Sequence, residues 1–347
     1  MEYSALTKIF SLASLGFIFA LALTPALTAF LHKYKLGKQI RNDGTTPLYS
    51  QMHSKKAGTP TMGGILVWGT LAILLGVFWL LDRVLHVPFF RHFDFYSRKE
   101  TLLPLGALLG ASIVGAVDDW LDVKGLGHKG RGLRFRFKFV LYAIVAAIGA
   151  WWFYFKLGFT AVHIPFVGGV DLGIWFIPFF ILAVVSVSFA VNETDGLDGL
   201  APGILMISFF AYGLIAFLQG KYDLASFIGV ICGALLAFLW FNVFPARFIM
   251  GDTGSMGLGV LLAVVAFLTN SVFLLILIGF VFMAEAISVL LQIFWKRVFK
   301  RKLMLSAPVH HTFQAMGWPE AQITMRFWII SAVMSIIGVV IYFLGLR

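Results

Sequence analysis

Long apolar runs alternate with short polar seams along this chain. Windows able to cross roughly 30 Å of hydrocarbon as helices lie near 10–32, 62–81, 101–117, 136–156, 172–191, 200–219, 224–244, 255–269, 271–295 and 325–345. The pattern predicts an all-α polytopic integral membrane protein of about ten transmembrane helices, with residues 1–347 forming a single domain. Windows 101–117 and 255–269 are short for a crossing, and 271–295 carries Glu285 within it. Between 157 and 171, Val162, Ile164, Val167 and Val170 surround Gly168-Gly169, which predicts a small hairpin. Seams at about 33–61, 118–138, 192–199, 245–254 and 296–324 follow every other crossing, so they share one side.

Composition strengthens this picture. The 347 residues are 60% hydrophobic and only 12% charged, with a mean hydropathy of +0.92, outside the range of soluble globular domains. Of the 27 Lys and Arg, 19 fall in the seams or at their edges, which assigns that side to the cytoplasm. The net charge of +11 is then mostly topology and attraction to anionic membrane lipid; nucleic acid is not among the expected partners. Nine of the 16 acidic residues lie on the same side, where the positive-inside rule does not call for them. Mixed charge on one face fits a site that binds a divalent cation together with an anionic substrate. The lone Cys232 excludes an internal disulfide and a cysteine-based metal cluster. The first apolar segment reads as a retained helix, because nine more follow. No internal repeat is visible, which weighs against transporters built from duplicated halves.

Five segments carry the candidate chemistry. Asp118, Asp119 and Asp122 end one apolar window. On a continuing helix Asp118 and Asp122 share a face and Asp119 points about 100° away, so one face can hold a cation while the other meets a substrate. A solvated helix end is the plain alternative. Asn192, Asp195 and Asp198 are three residues apart, with Gly196 and Gly199 between or beside them; such a turn suits a ribose, base or phosphate, or simply caps the next helix. Gly251-Asp252-Thr253-Gly254-Ser255 opens an apolar helix, where Asp252 is placed to bind Mg²⁺ and Ser255 to cap, with Asn242 and Arg247 at the same edge. Lys55-Lys56 before Gly58-Thr59-Pro60-Thr61-Met62-Gly63-Gly64 suits phosphate oxygens but is not a Walker A loop. His310-His311 places two imidazoles in the last cytoplasmic seam, one for the site and one in support.

In chain order these segments resemble the phospho-N-acetylmuramoyl-pentapeptide transferases, within the polyprenyl-phosphate N-acetylhexosamine-1-phosphate transferase superfamily. The resemblance runs from about Lys33 to the last helix, through GTPTMGG (58–64), VDDWLD (117–122), NETDGLDGL (192–200), FNVFPARFIMGDTGS (241–255) and PVHHTFQAMGWPE (308–320). It implies transfer of phospho-N-acetylmuramoyl-pentapeptide from its UDP carrier (UDP-MurNAc-pentapeptide) to undecaprenyl phosphate, giving lipid I and UMP with Mg²⁺ as cofactor. It further implies a multi-pass enzyme of the bacterial inner membrane, with its active site facing the cytoplasm, working as a homodimer. Carried over by motif, Asp252 is the magnesium ligand, Asp118 and Asp119 the catalytic aspartate pair, and His310 the catalytic histidine near the diphosphate, with His311 on the substrate side. Asn192, Asp195, Gly196, Leu197, Asp198 and Asn242 hold the uridine and ribose or shape the metal site, and Lys56 and Thr61 meet the nucleotide-side phosphate and uridine.

Two positions depart from the family pattern. Thr312 stands where a third histidine is usual and Gln314 where an acid is usual. Ile249 stands where an aromatic stacks on uracil, leaving either Phe248 as the stacking partner or a weaker contact. Spacing leaves open which of Lys124, Lys129, Arg131 and Lys138 meets the lipid phosphate. Rival readings are a sister transferase using UDP-N-acetylglucosamine and, from another class, an ion-coupled transporter with Glu285 on its path.

Overall fold

A computed structural model describes residues 2–37, 56, 58–127 and 132–345. Lys129, Arg131 and most of the seam 38–57 lie outside the described residues. Twelve helices occur among those described: α1 (Glu2–Lys33), α2 (Ile65–Trp79), α3 (Leu103–Val123), α4 (Phe135–Trp151), α5 (Phe176–Thr194), α6 (Leu200–Leu218), α7 (Tyr222–Asn242), α8 (Asp252–Leu268), α9 (Leu275–Ile278), α10 (Phe280–Phe299), α11 (Val309–Ala315) and α12 (Glu320–Gly345). Eight are long and apolar enough to cross a membrane. The predicted hairpin is present: β1 (Ala161–Ile164) pairs antiparallel with β2 (Gly168–Asp171), Val162 opposite Val170.

The remaining two predicted windows take unusual forms. Window 271–295 is not one helix but a pair, Val272–Ile278 and Phe280–Phe299, bent by 84°. A break inside a membrane frees a backbone carbonyl that must find a donor. The hydroxyls of Ser208 and Ser335 both donate to the Ile278 carbonyl, at 3.0 and 3.4 Å. Window 255–269 becomes α8, whose 17 residues span only about 25 Å. Every residue from Thr253 to Leu268 is buried, so α8 is a central post walled by longer helices.

Close approach to that post depends on residues without side chains. A Cβ on Gly115 of α3 would collide with the Asp252 backbone, and one on Gly64, just before α2, would collide with Gly254. The short post therefore packs at backbone distance against α3 and the residues just before α2. The segment Glu100–Val123, which includes α3, runs 24 residues, about 36 Å. The ends of α3, α5 and α7, and the beginnings of α4, α6, α8 and α12, converge through hydrogen bonds and ion pairs, and this polar junction is called the recess.

Candidate active site

The first amides of α8 have no partners within their own helix. Gly251, at the N-cap, adopts φ 71° and ψ 174° and has no side chain to supply. Asp119 supplies the cap from α3 instead: its carboxylate accepts the Asp252 amide at 3.1 Å and the Thr253 amide at 3.0 Å. Thr253 returns a bond to the Ser112 carbonyl of α3 at 3.0 Å. Ser255 donates to the Gly251 carbonyl at 2.9 Å, so the expected capping role passes from Ser255 to Asp119.

Asp118, next along α3, points elsewhere, as the helical rotation predicts. Its Oδ1 accepts the Leu133 amide at 2.6 Å and its Oδ2 lies 2.6 Å from Lys138 Nζ. The same ammonium lies 2.5 Å from Asp252 Oδ2. Asn192, from the end of α5, donates to Asp252 Oδ1 at 2.8 Å and to Ser255 Oγ at 2.9 Å. One cation thus sits between two carboxylates in front of a helix N-terminus. Of the four basic candidates, Lys138 occupies this position, whereas Lys124 is exposed.

A second lysine makes a similar triad nearby. Lys56 Nζ bonds Asp198 Oδ1 at 2.7 Å and also Glu320 Oε1. Asp198 is anchored further: its amide donates to Glu320 at 2.7 Å, its Oδ2 accepts the Ala246 amide at 3.0 Å, and its carbonyl accepts the Thr324 hydroxyl. Asn242 links the same turn to the seam before α8, accepting the Gly199 amide at 3.0 Å and donating to the Phe248 carbonyl at 2.8 Å. Asn242 therefore acts on loop geometry, with both ends of its amide engaged.

His310 and His311 open α11, with ring centroids 4.1 Å apart. His311 Nδ1 pairs with Gln314 Oε1 at 2.8 Å, so Gln314 retains a hydrogen-bonding partner for the histidine without bringing charge. Thr312 bonds the Ser306 carbonyl and takes no part in the histidine pair. Both histidine Nε2 atoms lie over Gly196, where a Cβ would collide with His310. Burial, then the Lys56 ammonium, push the His310 imidazole down to about 3, so it is neutral at pH 7. The Glu285 carboxylate meets a histidine: its Oε2 lies 3.1 Å from His310 Nδ1.

The turn of residues 192–199 runs through all three groups. Asn192 serves the first, Asp198 the second and Gly196 the third, while Asp195 is half-buried and Leu197 buried. Thr61 stands beside Gly251, where a Cβ would come within 2.7 Å of its hydroxyl. Phe248 does not face the recess. It is fully buried, 5.4 Å from the Phe238 ring and stacked 5.9 Å from Phe241, against the gap left by Gly63. Of the two alternatives, Phe248 as the stacking partner and a weaker contact, the buried ring favours the second; Ile249, half-buried, is the residue left at the edge.

Three residues in these groups were given no settled role by sequence: Lys138, one of four candidates for the lipid phosphate, Glu285, and Glu320 at the end of the last motif. Each is a charge at the edge of, or inside, an apolar window, which was the available signal.

The match of glycosyl transferase family 4 over residues 101–270, on a multi-pass helical bundle with a charged recess, defines a membrane-embedded transferase. Residues 56–66 match signature 1 of the phospho-N-acetylmuramoyl-pentapeptide-transferases. Relatives of that name include one from Chloroflexus aggregans, 40% identical over 94% of this chain and 88% of its own. Another, from Clostridium perfringens, is 36% identical over 95% of this chain and 98% of its own. A third, from Geobacillus kaustophilus, is 36% identical over 94% and 96%. The chain belongs to the phospho-N-acetylmuramoyl-pentapeptide-transferase family.

Proposed function

We propose that this protein transfers phospho-N-acetylmuramoyl-pentapeptide from its UDP carrier to undecaprenyl phosphate, releasing UMP, at the cytoplasmic face of a bacterial inner membrane. The observation that carries this reading is the single cation position shared by Asp118 and Asp252 before α8. Two phosphate-bearing substrates repel one another, and such a position is where that repulsion can be offset.

The donor set fits Mg²⁺. Both converging ligands are carboxylate oxygens, and the Lys138 ammonium stands in for a cation between them. Among the described residues no cluster of three His, Cys, Asp or Glu side chains could hold a metal. Mg²⁺ ordinarily keeps several waters and uses one or two carboxylates plus substrate phosphates, so two carboxylates are enough to hold it. Asp252 and Asp118 would hold it. Bound there, Mg²⁺ would supply charge neutralisation between the substrates and on the leaving UMP.

The chain's own groups do the remaining work. Lys138 moves from the carboxylates to the phosphate of the lipid. Asp118, its other oxygen fixed by the Leu133 amide, orients that phosphate and takes its last proton where one is present. A phosphate monoester is already largely dianionic at pH 7 and is a competent nucleophile. One of its oxygens bonds to the sugar-side phosphorus while the bridging oxygen departs with UMP. Asp119 keeps the amides of α8 in place, and the turn 195–198 with Lys56 and Thr61 receives the nucleotide. The functional unit is a homodimer in this reading, on the family resemblance.

Transfer assays with labelled UDP-MurNAc-pentapeptide and with UDP-N-acetylglucosamine test the assignment. Lipid-linked product from the first donor is expected. Product from UDP-N-acetylglucosamine in its place refutes the substrate.

A further inference from the structure

Glu285 belongs to none of the motifs above, yet it and His310 are both 0% exposed. It lies in α10, just beyond the 84° break, where it meets the start of α11. Its Oε2 lies 3.1 Å from His310 Nδ1, at ion-pair distance though off the hydrogen-bond axis, and accepts the His310 amide at 3.4 Å. Glu285 Oε1 and both ring nitrogens of His310 have no hydrogen-bond partner among the described residues. Nε2 lies over Gly196, in the turn that also carries Asp195 and Asp198.

We propose that Glu285 is a positioning residue that supplies a proton to His310 Nδ1 while the ring keeps one on Nε2, so that Nε2 donates to a diphosphate oxygen of the nucleotide substrate from a ring that becomes cationic as that oxygen arrives. The inference rests on the functional reading above. A lone ionised carboxylate at this depth is costly, so the carboxyl and imidazole are held together as a neutral pair. Such a pair has two protons and two arrangements. With the carboxyl protonated and the imidazole neutral, the carboxyl donates to Nδ1 and the ring proton is on Nε2. With the proton moved from the carboxyl to Nδ1, the ring is a cation and Nε2 still carries its hydrogen. Both arrangements present the same donor toward Gly196. The approach of a phosphate favours the second, because the cation then faces an anion. Gly196 lets the imidazole sit against the turn, since a Cβ there would collide with Nε2; the diphosphate reaches Nε2 as the turn 195–198 receives the nucleotide.

A bland role competes with this one. Glu285 also accepts a backbone amide at the start of α11, as a cap would. Glu285→Gln separates the two, because the amide oxygen still accepts backbone N–H groups but the side chain cannot pass a proton to Nδ1. The test is a double-mutant cycle of Glu285→Gln and His310→Ala in the full-length protein, measuring kcat, both substrate KM values and thermal unfolding. The inference expects Glu285→Gln to lower kcat roughly 10-fold or more. KM and the unfolding midpoint should stay near wild type, and no further loss should appear when His310 is already alanine. A wild-type kcat in Glu285→Gln overturns the inference. So do losses that multiply in the double variant, or a kcat loss that only tracks lowered stability. Absence of UMP release from the wild type with either nucleotide sugar overturns the functional reading itself, and this inference with it.

Discussion

Two lysines in this recess each sit between two carboxylates, and their surroundings give them opposite characters. Lys138 bridges Asp118 and Asp252 at the mouth of α8, while Lys56 bridges Asp198 and Glu320 a short way along the same turn. Around Lys56 the anions are committed: Asp198 ties together residues from the 198–199 turn, the seam before α8 and the start of α12. Around Lys138 the carboxylates sit at helix ends, and the Asp252 side chain keeps 19% exposure against 5% for Asp198. The Lys56 triad is built as a latch, and in the proposed reading the Lys138 triad is an exchangeable cation position. Charge pattern alone does not separate a structural cross-link from a reactive site; here the difference lies in Asp252, whose carboxylate accepts no backbone amide among the described residues, whereas Asp198 and Glu320 each accept one.

The comparison yields a ranked series of outcomes. Asp252→Asn should have the largest effect, lowering kcat by roughly 10³-fold or more, the scale for removing charge stabilisation in phosphoryl transfer. Its thermal unfolding should stay close to wild type, because Lys138 keeps Asp118 as a partner; UMP release and a melting curve on one preparation check both. Asp198→Asn should do the reverse. Removing one partner of a buried ion pair costs roughly 3–5 kcal/mol, so the unfolding midpoint should fall, and the surviving folded enzyme should retain most of its kcat at saturating nucleotide while its KM for the nucleotide rises. Equal damage to kcat from both variants would erase the distinction between latch and exchange site.

Smaller effects refine it. Lys138→Met removes the ammonium that competes for the two carboxylates. It should tighten Mn²⁺ binding in the absence of substrates while raising KM for the lipid phosphate, both read by titration. Glu320→Gln leaves Asp198 to hold Lys56, so its loss of stability should be less than that of Asp198→Asn in a parallel melt. Lys124→Gln should be neutral, because Lys124 is exposed.

Much of the fold is legible in the sequence because hydrocarbon imposes a length on every crossing. Eight windows became helices of spanning length, and valines around Gly168-Gly169 formed the hairpin. What was not legible depends on neighbours distant in sequence. The break at Gly279 requires Ser208 and Ser335 to receive the freed carbonyl, and neither lies in that window. The motif seams located the site, and the helical offset between Asp118 and Asp119 gave their different directions. Their partners did not follow from spacing: Lys138 meets Asp252 across 114 positions, and His310 meets Glu285 across 25. Phe248 shows the same limit from the other side. Its place beside the Met-Gly-Asp seam suggested an open ring, but Gly63 leaves a gap that the ring fills.

The central claim is that Asp118 and Asp252 form a divalent-cation site which Lys138 occupies in a metal's place. Mn²⁺ binding followed by electron paramagnetic resonance on the purified full-length protein, wild type against Asp252→Asn, tests it most directly. The account predicts one saturable Mn²⁺ per chain in the wild type, displaced by Mg²⁺, and its loss in a folded Asp252→Asn variant. Unchanged Mn²⁺ binding in that variant would contradict it.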